Sequence, residues 1–203
     1  FSPLPLPILP QNTLDLDVGD LDGDGDPDLV IARNTAQPFG IGLSFYWNDG
    51  GTFSSDERDL IGAGMTGVEL ADVNNDGSLD LYCSKVAEGT DFIYLNDGGG
   101  NFTLLGAVSR GEPVLAVRFH DMDRDGDLDL LRCVLNGGIS VRLNDGAGTF
   151  GGGYQTLLDC SSMCVLDADR DGDPDIVAQD GDQLRVLYNQ GNGAYYISGE
   201  QFG

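Results

Sequence analysis

The stretch Asp121-Met122-Asp123-Arg124-Asp125-Gly126-Asp127-Leu128-Asp129 sets an acidic residue at every second position and glycine at the sixth. Three further stretches align with it: Asp20-Leu21-Asp22-Gly23-Asp24-Gly25-Asp26-Pro27-Asp28, Asp72-Val73-Asn74-Asn75-Asp76-Gly77-Ser78-Leu79-Asp80 and Asp167-Ala168-Asp169-Arg170-Asp171-Gly172-Asp173-Pro174-Asp175. Their first residues lie 52, 49 and 46 positions apart, a period that marks a repeat architecture. Outward from each loop a second marker follows, Asn48-Asp49-Gly50, Asn96-Asp97-Gly98, Asn144-Asp145-Gly146 and the degenerate Asn189-Gln190-Gly191. Each is soon succeeded by an aromatic residue, Phe53, Phe102, Phe150 or Tyr195.

Short β-branched or alternating segments fill the spaces, such as Leu29 to Ala32 after a loop, Val68 to Ala71 before one and Phe92 to Leu95 before an Asn-Asp-Gly turn. Segments of this length, bounded by Gly and by Asn-Gly or Asp-Gly turns, read as strands joined in hairpins. About four strands in roughly 50 residues form one blade, and a lone blade cannot bury both faces, so neighbours must stack on it. The expected fold is all-β, a propeller-like array of four blades, each a four-stranded antiparallel sheet. The whole chain reads as a single repeat domain: an N-terminal arm over 1–12, then repeats over about 13–62, 63–111, 112–159 and 160–203.

With 31 glycines and 8 prolines among 203 residues, the apolar 40% is cut too finely for an 18-residue run, which excludes a transmembrane helix. The 34 acidic against 10 basic residues give a net charge of −24. Such a field repels nucleic acid and anionic membrane surfaces and attracts cations. The aspartates fall in four clusters between apolar runs, the distribution of sites and not of a solvated tail. The chain begins at Phe1, without Met or a basic and apolar leader, as expected of a mature or excised product.

Hard divalent cations such as Ca²⁺ take six to eight oxygens, and alternate residues of a tightly turning loop can aim carboxylates at one centre. Positions 1, 3, 5 and 9 supply those side chains, and position 7 (Asp26, Ser78, Asp127, Asp173) supplies a backbone carbonyl, which accounts for the serine. Glycine at position 6 permits a positive φ. An EF-hand is excluded because its loop needs glutamate at position 12, where this chain has Ile31, Cys83, Arg132 and Ala178.

These loops resemble the FG-GAP, or VCBS-type, repeats that build the β-propeller of integrin α-subunits and of related fungal lectins and bacterial surface proteins. The resemblance covers essentially the whole chain. It implies Ca²⁺ in the hairpin loop between the first two strands of each blade, up to four ions in all, held by the sixteen side chains at positions 1, 3, 5 and 9. Asn74 leaves the second loop with three such carboxylates, so that site is expected to be the weakest. Four repeats are fewer than the seven blades usual in the integrin-like ring.

His120 is the only histidine, so no histidine triad or zinc site can be assembled, and a structural role is expected. Closely spaced carboxylates repeat four times at metal spacing, unlike the single pair of a glycosidase. Tyr46, Trp47 and Tyr94 read either as blade packing or as platforms for sugars. Asn101-Phe102-Thr103 is a glycosylation sequon beside a turn. Cys83, Cys133, Cys160 and Cys164 favour disulfides over free thiols. A bridge between Cys160 and Cys164 and, less securely, one between Cys83 and Cys133 are the candidates. Phe1 stands 19 residues before Asp20, as Phe53 does before Asp72 and Phe102 before Asp121. The Pro-rich arm Ser2 to Pro10 therefore sits in outer-strand phase, while Tyr195 to Phe202 offers a second outer strand. The arm reads as a head-to-tail assembly strand, a linker or a closing strand.

Together these features describe a non-enzymatic, secreted or cell-surface calcium-binding module with a structural, self-assembling or adhesive role. The alternative is a lectin-like module for carbohydrate or protein partners. Neither nucleic-acid binding nor membrane insertion is expected.

Overall fold

Each Asp-rich loop reverses the chain tightly and each Asn-containing turn reverses it again, so the repeats fold as meanders. The computed structural model describes residues 13–33, 42–58, 60, 64–85, 88–191 and 194–197. Sixteen strands and no helix occur among them. The first sheet holds β1 (Thr13–Gly19), β2 (Asp28–Arg33), β3 (Leu43–Asp49) and β4 (Thr52–Arg58). The second holds β5 (Gly67–Ala71), β6 (Asp80–Lys85), β7 (Thr90–Asn96) and β8 (Phe102–Arg110). β9 (Val114–His120), β10 (Asp129–Val134), β11 (Gly138–Asn144) and β12 (Phe150–Gln155) make the third, and β13 (Met163–Leu166), β14 (Asp175–Asp180), β15 (Gln183–Asn189) and β16 (Tyr195–Ile197) the fourth. All four sheets are four-stranded, ordered as in sequence, and antiparallel throughout. This is the expected all-β array of four blades. The Pro-rich arm and residues 198–203 lie outside the described residues.

The chain divides into two compact units, one of residues 1–72 and 76–111, the other of residues 73–75 and 112–203. In the first, Val30, Ala32, Leu43 and Phe45 of one blade meet Val68, Leu81, Cys83 and Tyr94 of the next. Tyr46 and Tyr94 are buried, at 4% and 3% exposure, and Trp47 stacks on Phe45 with ring centroids 5.6 Å apart. Packing is therefore what occupies these three aromatics. β1 inverts the usual alternation: Leu14, Leu16 and Val18 are exposed, while Asp15 and Asp17 turn inward. The cause is that the Asp15 and Asp17 carboxylates accept the N–H groups of Val68 (3.1 Å) and Leu70 (2.8 Å). The edge of β5 is thus covered by carboxylates, which also blocks pairing with another strand.

In the second unit Met122, Leu131, Cys133, Ile139 and Val141 pack against Met163, Ile176, Ala178, Leu187 and Tyr195. Here a disulfide joins Cys133 to Cys160, with Cα atoms 5.1 Å apart. Both pairings expected from sequence are corrected: Cys83 is a buried free thiol and Cys164 an exposed one. Cys133 lies on the face of β10 that packs against the fourth blade, which brings it to Cys160.

Candidate metal centres

Each acidic loop joins the first two strands of its blade and is built on its own carboxylates. At position 1, one oxygen of Asp20, Asp72, Asp121 or Asp167 accepts the N–H of the glycine at position 6, at 3.0, 2.9, 3.0 and 3.2 Å. The other oxygen accepts an N–H at position 4 or 5. At position 5, Asp24, Asp76, Asp125 and Asp171 accept the N–H of position 7 at 2.8 to 2.9 Å. The glycines Gly25, Gly77, Gly126 and Gly172 have φ of 90–100°, the left-handed backbone expected of position 6. Position 4 is left-handed as well, and outside the first loop it is not glycine: Asn75, Arg124 and Arg170 have φ of 59°, 66° and 67°.

With the backbone wrapped this way, oxygens of positions 1, 3 and 9 converge. In three loops, Asp20–Asp22–Asp28, Asp121–Asp123–Asp129 and Asp167–Asp169–Asp175, one carboxylate oxygen from each residue lies within 4.8 Å of the others. Position 5 is not part of these trios. At position 7 the side chains are engaged elsewhere: Asp26 accepts the N–H of Gly50 at 2.7 Å, and Asp127 and Asp173 accept side-chain donors from Asn75 and Arg124. In the second loop position 3 is Asn74, which lies in the short piece belonging to the other unit; Asp72, Asp76 and Asp80 keep the loop pattern. An all-oxygen set of this kind suits a hard divalent cation, and three such clusters can hold metal ions.

The sequence pattern of the FG-GAP-like repeat matches residues 20–83, 72–132 and 121–178. Each match runs from position 1 of one loop past the end of the next. The chain belongs to the FG-GAP-like repeat family. No curated protein sequence matches it significantly, but solved structures share its fold. An Agrocybe aegerita lectin, described as recognising non-reducing terminal N-acetylglucosamine, is 22% identical with a TM-score of 0.62, over 89% of this chain and 50% of the lectin's. The V. cholerae biofilm matrix protein Bap1 is 18% identical with a TM-score of 0.55, over 95% of this chain and 31% of its own. The Photorhabdus luminescens Tc holotoxin pore is also 18% identical, with a TM-score of 0.51, over 100% of this chain and 10% of its own. This chain thus spans half or less of each, and the likeness is one of fold.

Position 9 of the FG-GAP loop has two tasks. Asp28, Asp80, Asp129 and Asp175 are at most 1% exposed. One oxygen of each accepts the N–H of the turn asparagine, Asn48, Asn96, Asn144 or Asn189, at 2.8 to 2.9 Å. In the three trio-bearing loops the other accepts the N–H of position 2, Leu21, Met122 or Ala168. Burial, offset by these two N–H groups and reinforced by the charges of Asp123 and Asp125, pushes the Asp129 carboxyl up to about 6. Asp28 is raised for the same reasons. Asp123 and Asp169 are also raised, first by loss of solvent and then by the charge of the neighbouring Asp125 or Asp171. A bound cation relieves this crowding, so the residues present fit one.

The turn asparagine is a functional residue that sequence reading took only as a marker. Its side-chain amide donates to position 8 of its own loop, Pro27, Leu79, Leu128 or Pro174. From the second blade onward it donates also to the position-2 carbonyl of the preceding loop, Leu21, Val73 or Met122, at 2.7 to 2.8 Å. The signal was present: asparagine persists in Asn189-Gln190-Gly191, where the aspartate does not. Elsewhere, His120 is exposed at the end of β9, opposite Asp129. Exposed Asn101 donates its side-chain amide to Asp97 at 3.0 Å.

Proposed function

We propose that this FG-GAP chain is a non-enzymatic, extracellular calcium-binding module with a structural, adhesive or self-assembling role. The observation that carries the reading is the convergence of carboxylate oxygens from positions 1, 3 and 9 in three loops, each trio within 4.8 Å. The proposed ligands are the side chains of positions 1, 3, 5 and 9 and the carbonyls of Asp26, Ser78, Asp127 and Asp173, with Asn74 making the second of four sites the weakest. Oxygen donors on loops held open by their own backbone favour Ca²⁺ over the smaller, octahedral Mg²⁺. Loop closure by position 1 and anchoring by position 9 pre-organise the remaining ligands.

An extracellular setting is supported by the Cys133–Cys160 disulfide, which oxidising compartments preserve, and by millimolar calcium in such settings. The partners in this reading are proteins or glycans, a reading supported by a fold shared with a lectin described as recognising N-acetylglucosamine and with a biofilm matrix protein. Calorimetric titration of chelator-treated protein with Ca²⁺, followed by melting with and without the ion, tests the reading. Binding with three or four equivalents and a higher melting temperature is expected. Ligation only to the folded state adds about 2.7 kcal/mol per site at a hundredfold excess over Kd. An unchanged melting curve with no heat of binding would sink it.

A further inference from the structure

The aromatic residue that follows each Asn-containing turn is phenylalanine in three blades and tyrosine in the fourth: Phe53, Phe102, Phe150 and Tyr195. Each lies directly opposite its turn asparagine, Asn48, Asn96, Asn144 or Asn189, across the last two strands of its blade. Residues opposed in this way project from the same face of the sheet. Asn189 uses that face to reach the preceding loop, its amide donating to the carbonyl of Met122, between Asp121 and Asp123. Tyr195 therefore projects beside it, toward the third loop.

Tyr195 is 8% exposed and packs in the core of the second unit with Met122 and Leu187. Its ring meets that of Tyr154, on the outer strand of the third blade, with centroids 5.0 Å apart. The hydroxyl is enclosed and has no hydrogen-bond partner among the described residues. Burial raises the phenol above its ordinary value, and the charges of Asp129, Asp123 and Asp175 raise it further, so it stays neutral at physiological pH. Packing alone does not call for that oxygen. In the first unit Phe102 takes the same place, opposite an asparagine whose amide reaches Leu21 in the first loop, and it stacks on Phe45 with centroids 5.3 Å apart. An enclosed hydroxyl without a partner weakens a fold, so its presence beside one acidic loop points to a ligand-bound state in which it is bonded.

We propose that Tyr195 completes the third metal centre from the neighbouring blade, its hydroxyl bonded to a water in the coordination sphere of the cation held by Asp121, Asp123 and Asp129. The proposal deepens the calcium part of the proposed function and rests on it. Ca²⁺ takes six to eight oxygens and commonly keeps water among them. No direct bond joins the hydroxyl to Asp123 or Asp129, so the contact runs through that water. A phenol can donate and accept at once and adds no charge to a crowded set of carboxylates. Tyr195 is thus a positioning residue, and the third centre belongs to two blades, with the cation drawing β16 toward the loop that binds it. At the first loop, Phe102 supplies the packing without the bond.

The test compares the unaltered 203-residue chain with Tyr195→Phe, Asp123→Asn and the double variant, by calorimetric titration with Ca²⁺ and by melting in chelator and in calcium. Phenylalanine is what the other three blades carry at this place, and circular dichroism checks that each variant is folded. Tyr195→Phe should bind the same number of ions with one site weakened about tenfold or more, as for the loss of an outer partner of a metal centre. In chelator its melting temperature should equal or exceed that of the unaltered chain, and the rise on adding calcium should be smaller. In the Asp123→Asn background the tyrosine substitution should change affinity no further, since both act on one centre. Equal calcium affinity with and without the hydroxyl, a melting loss as large in chelator as in calcium, or a full effect that persists beside Asp123→Asn would each overturn the proposal. An unaltered chain that binds no calcium removes the proposed function as well, whereas calcium bound equally by both chains removes only the role of Tyr195.

Discussion

The side-chain amide of Asn189 donates to the backbone carbonyl of Met122, 2.7 Å away and 67 residues earlier in the chain. Its second bond reaches Pro174 at 3.2 Å, and its backbone N–H is held by Asp175. One residue, 2% exposed, therefore fastens a turn to its own loop and to the preceding one. Substituting alanine strands two carbonyls, each costing about 1–3 kcal/mol if buried without a partner. Asn189→Ala should lower the denaturation midpoint by that order, and Asn189→Asp, which places a carboxylate against two carbonyl oxygens, by more. Gln190→Asp, at an exposed neighbour, should leave the midpoint almost unchanged.

Positions 3 and 9 of one loop should separate metal binding from folding. Asp129 accepts N–H groups from Met122 and Asn144 on its two oxygens, so Asp129→Asn presents an amide N–H to one of those donors. Its loss of about 2–3 kcal/mol should appear with chelator present as well as with calcium. Asp123 accepts one long bond, 3.3 Å from Asp125, and is crowded by the Asp125 charge. Asp123→Asn should therefore weaken calcium binding at that loop while leaving the melting temperature in chelator equal or higher. Equal losses in chelator for both variants would contradict this division.

Thiol chemistry distinguishes the four cysteines. One native thiol, that of exposed Cys164, should react with a small disulfide reagent, and buried Cys83 only after unfolding, its thiol being pushed up by burial and so poorly ionised. Peptide mapping without reductant should recover Cys133 linked to Cys160. By the loop-closure relation, a bridge across 27 residues stabilises by about 3.5 kcal/mol. Cys133→Ser should lower stability by an amount of that order.

The Asn-Asp-Gly turns carry an acid dependence of their own. The Asp97 carboxyl lies below the ordinary carboxylate range because it accepts the N–H of Gly99 and donors from Asn101. That of Asp145 is lowered by Ala147 and Thr149. A carboxyl depressed in the folded state contributes stability that is present above its unfolded value and is lost as pH falls through the folded one. Amide exchange at Gly99, Asn101, Ala147 and Thr149 should therefore accelerate below about pH 4. In Asp97→Asn the second turn should exchange fast already at neutral pH.

Loops and strands were legible in the sequence because each has a local cause: glycine at position 6 meets a positive φ, and Asn-Gly or Asp-Gly closes a hairpin. What escaped was set by stacking. Cys133 finds Cys160 only once β10 lies against the fourth blade, a relation that spacing along the chain does not encode. Position 9 looked like a ligand like any other, and its buried grip on two backbone N–H groups depends on where the Asn-containing turn folds back. Tyr46 and Trp47 were ambiguous for the same reason, since an aromatic before a turn reads alike whether a neighbouring blade covers it or not. Asp15 and Asp17 alternate with Leu14, Leu16 and Val18 along the chain, and only the edge of β5 explains why the acids and not the apolar residues point inward.

The Cys133–Cys160 bond also sets how far this protein can be drawn out by a mechanical load. An unravelled residue contributes about 3.5 Å of extension, so the 27 residues between the two cysteines hold back roughly 95 Å of chain while the bond is intact. A tether built from this module would yield in a shorter step under oxidising conditions and in a longer one after reduction, with the disulfide acting as a stop on its stretch.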